Sequence, residues 1–130
     1  MENKPKILIV DDDKFLLNMY SIKFAKSEFE VNTANSSDDA LGKIEGGFIP
    51  DIILLDIIMP GLDGFGFLQA FRERKLAPSA AIVMLTNQGQ LADIERAKVF
   101  NVDGYIIKAT TIPSEVVEEV KKIFSKTKQK

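Results

Sequence analysis

Three aspartates, Asp11, Asp12 and Asp13, follow directly on the apolar run KILIV (6–10). Like charges packed that closely repel: at ~4 Å and an effective dielectric near 20, one such pair costs roughly 4 kcal/mol. Either the carboxylates splay into water or something cationic sits among them. A fourth acid, Asp56, directly follows a second apolar run, DIILL (51–55), and is itself followed by IIMPGLDG. Thr86 follows AIVML (81–85), and Lys108 follows YII (105–107). The chain has no histidine and no cysteine. That excludes a Ser-His triad, imidazole ligands, thiolate chemistry and a disulfide framework. Any metal would be held by oxygen, which suits Mg²⁺ or Ca²⁺.

These residues need a frame that brings them together. The four runs show little alternation, as expected of parallel strands buried on both faces. A fifth segment, FEVNT (29–33), alternates apolar and polar residues and suits an edge strand with one wetter face. Helical patterns lie between the strands. Phe15, Leu16, Met19, Tyr20 and Phe24 make an apolar stripe across 14–26, with Asp13 as N-cap. Residues 36–45 open with Ser36 and Asp39 in capping-box spacing and close at Gly46-Gly47. Phe67, Leu68 and Phe71 mark a third helix, capped by Asp63 and weakened at its start by Gly66. Leu91, Ile94 and Ala97 mark a fourth. Val116, Val117, Val120, Ile123 and Phe124 share one face of a fifth, with Thr111 as its expected N-cap.

Five consecutive strand–helix pairs predict an α/β fold: a parallel five-stranded sheet between two helical layers. An edge position for the second strand favours the flavodoxin-like order 2-1-3-4-5. In such sheets ligands bind at the carboxyl ends of the strands. Asp11, Asp12, Asp56, Thr86 and Lys108 all fall on that rim, and a hard divalent cation is the natural neutraliser of the three acids.

Length and composition set the outer bounds. With 130 residues, 45% of them apolar and 28% charged, the chain fits one domain, 1–130, with a core over about 5–125 and a polar tail at 126–130. A net charge of −2 gives no reason to expect nucleic acid or an anionic membrane as partner. No apolar run approaches the roughly 18 residues of a membrane span. MENKPK lacks the apolar stretch of a signal peptide, so the expected location is cytoplasmic.

The segments ILIVDDD, DIILLDIIMPGLDG, AIVMLT and GYIIK, in this order, resemble the receiver domain of bacterial two-component response regulators. The stretch after the third strand is the most specific. The likeness covers essentially the whole chain, which looks like the stand-alone chemotaxis type. It implies a phosphorelay switch rather than an enzyme that turns over a metabolite. Asp56 would accept a phosphoryl group from a histidine kinase, a phosphotransfer protein or a small phosphodonor. Mg²⁺ would be the cofactor, ligated by Asp12, Asp56 and the backbone carbonyl of Ile58, with Asp11 acting through water. Lys108 would pair with a phosphoryl oxygen. Thr86 would turn its hydroxyl toward the same group, and Tyr105 would swing inward behind it. That would couple the chemistry to the surface of the fourth helix, fifth strand and fifth helix, for a downstream target or a second copy of the chain.

The sequence departs from this family in places. Proline usually follows the lysine; here it is Ala109. A cis bond before a non-proline residue costs roughly 2.5–4 kcal/mol, so a trans bond is expected. Asn87 replaces a very small residue after the threonine and could narrow access. Positions that modulate dephosphorylation are Ile58 and Gln88 here, and apolar Ile58 cannot orient a water. A phosphorylation-independent pseudo-receiver is the runner-up reading. A haloacid-dehalogenase-type phosphatase expects an acid two residues after its nucleophile, where Ile58 stands.

Overall fold

The computed structural model describes residues 4–87 and 91–128. Five strands, β1 (Lys6–Val10), β2 (Glu30–Ala34), β3 (Ile52–Leu55), β4 (Ala81–Thr86) and β5 (Gly104–Ile107), form one sheet in the order β2-β1-β3-β4-β5. Every pairing is parallel; Val10 sits opposite Leu55, and Thr86 opposite Ile107. Parallel strands need crossovers, and the helices supply them: α1 (Lys14–Lys26), α2 (Ser37–Glu45), α3 (Gly64–Glu73), α4 (Leu91–Val99) and α5 (Pro113–Lys128). This is the expected flavodoxin-like order.

The period-2 geometry of strands divides the core. Leu8, Val10, Ile53, Leu55, Ile82 and Met84 face α2, α3 and α4. Ile7, Ile9, Ile52, Leu54, Val83 and Leu85 face α1 and α5. β3 and β4 are buried along their whole length, which is why those runs show no polar alternation. β2 is more open, as an edge strand should be.

The caps fix where the helices start. Asp13 Oδ1 accepts from the N–H groups of Phe15 and Leu16 at 3.0 and 3.1 Å. Ser36 Oγ accepts from Asp39 N at 3.0 Å, and Asp63 Oδ1 from Gly66 N at 2.8 Å. The Asp63 cap offsets the weak propensity of Gly66, and α3 begins at Gly64.

Two sequence expectations need correction. Phe15 is 74% exposed, and α1 buries Leu17, Tyr20 and Phe24 instead. The cap at Asp13 sets the helix phase, which puts Phe15 about 200° around the axis from Leu17. At the other end, Thr111 does not cap α5. A 3₁₀ turn, Lys108–Thr110, occupies the connection, and Thr111 N–H closes it onto the Lys108 carbonyl at 3.3 Å. Ile112 takes the cap position, its N–H donating to Glu115 Oε1 at 3.1 Å. The Lys108–Ala109 bond is trans.

Candidate phosphoacceptor and metal site

The strand ends bring the acids together. Asp11 N–H extends the β1–β2 ladder by donating to the Ala34 carbonyl at 3.1 Å, and Asp56 N–H donates to Val10 O at 3.0 Å. Their side chains therefore start from neighbouring strands at the same level. Carboxylate oxygens of Asp11, Asp12 and Asp56 lie within 4.8 Å of one another. Asp11 and Asp56 are buried, at 1% and 7% exposure, while Asp12 faces solvent. Asp11 Oδ1 also accepts from Asp13 N–H at 3.0 Å, which holds the turn between the two acids.

Lys108 reaches this cluster from beyond β5, across β4. Its Nζ donates to Asp11 Oδ2 at 2.6 Å and to Asp56 Oδ2 at 3.1 Å. Burial pushes the Asp56 carboxyl up to about 6, against the pull of the Lys108 charge and with help from Asp11. For Lys108, burial alone would lower the ammonium; its hydrogen bond to Asp11 and the charge of Asp56 more than reverse that, and its pKa is raised. One lysine thus serves two buried carboxylates, and Asp12 adds a third negative charge. Three oxygen ligands at this spacing, under-neutralised by protein, suit a hard divalent cation such as Mg²⁺.

The remaining predicted residues surround the cluster at different depths. Thr86 is buried at the end of β4. Ile58 is 61% exposed, two residues beyond Asp56. Tyr105 is half-buried on β5, its phenol raised by burial and by Asp93. Gln88 lies outside the described residues. Sequence reasoning placed Tyr20 in the core stripe alone. The structure adds that the charges of Lys108, Asp11, Asp56 and Asp13 all reach its phenol.

Gly64 fixes the backbone under Asp56. Its N–H donates to the Ile57 carbonyl at 2.8 Å. A Cβ here would stand 2.4 Å from the Asp56 carbonyl oxygen and 2.9 Å from Ile57 Cα. Both neighbours are backbone and cannot rotate away. Gly64→Ala should therefore displace Asp56: we expect a lowered melting temperature and weaker Mg²⁺ binding, read by thermal melts and a Mg²⁺ titration. Unchanged Mg²⁺ affinity would show that the loop relaxes elsewhere.

Residues 7–121 match the family described as the response regulator receiver domain. The chain belongs to that family. The receiver domain is 34% identical, over 98% of its length, to the transcriptional regulatory protein ResD of Bacillus subtilis, covering 51% of that protein. It is 36% identical over 111 residues to the heme response regulator HssR of Staphylococcus epidermidis, covering 85% of this chain and 46% of that one. The receiver domain thus spans about half the length of these curated relatives. Among solved structures, chemotaxis protein CheY4 of Vibrio cholerae superposes with a TM-score of 0.85 at 27% identity, over 92% of this chain and 98% of that one. A CheY-like receiver domain protein from Methanospirillum hungatei gives 0.85 at 28% identity, over 97% and 98%. No helix among the described residues is long and apolar enough to cross a membrane.

Proposed function

We propose that this receiver domain is a two-component switch that takes a phosphoryl group onto Asp56. The observation that carries this reading is the bridge from Lys108 to Asp11 and Asp56 beside a third acid, at the rim where such sheets bind ligands. Asp11, Asp12 and Asp56, with the Ile58 carbonyl, would hold Mg²⁺. When bound, the ion offsets the repulsion between a carboxylate and an anionic phosphodonor.

The chain's own groups account for the rest. An Asp56 oxygen attacks phosphorus, and the bond from phosphorus to the donor's leaving atom breaks, its electron pair departing with the donor. Lys108 passes an N–H from the carboxylate to a phosphoryl oxygen. The new group brings about −1.5 to −2 charge and three strong acceptors, enough to attract the Thr86 hydroxyl. Withdrawal of Thr86 makes room for Tyr105, and the face of α4, β5 and α5 changes. A downstream target or a second copy of the chain reads that face.

The donor is a histidine kinase, a phosphotransfer protein or a small phosphodonor, in the cytoplasm. The domain modifies only itself. The test is intact mass after incubation with acetyl phosphate, with and without Mg²⁺. A Mg²⁺-dependent gain of one phosphoryl group supports the reading. No gain while Mg²⁺ binds would turn it to a phosphorylation-independent interaction module.

Ile58 sets the lifetime of the phosphorylated state. Its side chain is apolar and cannot orient an attacking water, so self-hydrolysis should have a half-time of minutes to hours. A half-time of seconds, measured by loss of the phosphorylated mass after donor removal, would refute this.

A further inference from the structure

A cavity of about 430 Å³ opens beside Lys108, between α1 and the segment leading into α5; Tyr20, Asn87, Lys108, Ala109 and Ile112 are among its lining residues. Two groups on its wall have hydrogen-bonding capacity to spare. Tyr20 is only 2% exposed, and its phenol makes no hydrogen bond to any described residue. No fully sealed side-chain oxygen among the described residues lacks a partner, so the phenol oxygen is not shut in the core but meets the cavity. Lys108 Nζ carries three N–H donors, and Asp11 and Asp56 take two of them. The space is ample for a bridging water. Buried polar groups normally find a partner. An anionic ligand is a poor occupant, because the single lysine of the wall is already held by Asp11 and Asp56, with Asp12 beside them.

We propose that Tyr20 is a positioning residue for phosphoryl transfer: its phenol oxygen accepts the third N–H of Lys108 through one water in this cavity, and so aims the ammonium at the acceptor. This rests on Asp56 being the phosphoacceptor. The ring of Tyr20 packs in the core between α1 and the sheet, so the link ties the lysine to a rigid helix. Without it the ammonium is steered only by Asp11 and Asp56, and the second of these is the group that reacts.

The test is Tyr20→Phe, which keeps the ring and removes the oxygen. With acetyl phosphate and saturating Mg²⁺, the phosphorylation rate should fall about fivefold to twentyfold, within the range for a misplaced catalytic group. The Mg²⁺ concentration at half-saturation should not move, which separates positioning from general loosening of the site. A second measurement needs no phosphorylation. In Mg²⁺ buffer, Tyr20→Phe should lower the folded-to-unfolded ratio about fivefold in the wild type. In a Lys108→Met background the effect should shrink to about twofold or less. An unchanged phosphorylation rate, or equal stability effects in both backgrounds, would overturn the proposal. If the wild type takes up no phosphoryl group, the reading of Asp56 fails, and the stability cycle alone decides whether Tyr20 holds Lys108.

Discussion

Asp56→Asn should end phosphoryl uptake. Incubated with acetyl phosphate and Mg²⁺, the wild type gains one phosphoryl mass that hydroxylamine removes, as expected of an acyl phosphate. The variant gains none over the same time, a loss of at least about a thousandfold in rate, because an amide is no nucleophile toward phosphorus. Asp12 is a ligand candidate of the same chemical type, so the substitution also separates acceptor from ligand. Asp12→Asn should weaken Mg²⁺ binding and slow uptake without abolishing the acceptor. Phosphorylation of Asp56→Asn at full rate would move the acceptor to another carboxylate.

The second large effect is on stability. In metal-free buffer the Asp56 carboxyl titrates near 6 in the folded protein, pushed up mainly by burial, against about 3.9 for an unperturbed aspartate. Between those values the folded state holds a proton that the unfolded state has released. Stability therefore falls as pH rises from about 4 to about 6, and levels off above. The span is up to about 3 kcal/mol. Asp56→Asn removes the ionisation, so at pH 7 it should melt higher than wild type and lose this part of the pH slope. Mg²⁺ should do the same if it binds only the folded cluster: about 2.7 kcal/mol at a hundred times its Kd, or roughly 6–12 °C for a domain of this size. Thermal melts in EDTA and in Mg²⁺, across pH 4 to 8, check both. A flat pH dependence in EDTA, with no Mg²⁺ stabilisation, would show that Lys108 alone neutralises the site.

Much of this was legible before any coordinates, and the reasons differ by residue. The unbroken apolar runs at 52–55 and 81–85 signal strands covered on both sides, and those strands are fully buried. Asp11, Asp12, Asp56 and Lys108 could be grouped because parallel topology puts all strand ends on one rim; the 4.8 Å cluster is that topology realised. Phe15 falls off the buried face because eight apolar residues in thirteen admit more than one helix phase, and only the cap at Asp13 chooses between them. Thr111 failed as a cap because its N–H closes the 3₁₀ turn that begins at Lys108, a turn no local pattern announced. Tyr20 had one available signal, a polar-tipped aromatic two turns along the helix from Asp13. Its nearness to Lys108 depends on how α1 leans on the sheet, which spacing does not encode.

The ion pair between Lys108 and Asp11 joins residues 97 apart in sequence. A chain emerging from the ribosome lays down β1 and β3, with all three acids, long before it makes the cation that offsets them. Until β5 docks, the central strands can pair only by gathering carboxylates with nothing of their own to balance the charge. Long-range closure of this kind is slow. Docking of the last strand, which carries Lys108 at its end, should therefore be the closing step of assembly. Chains cut short before Lys108 should stay open, and free Mg²⁺ should speed the folding of complete ones.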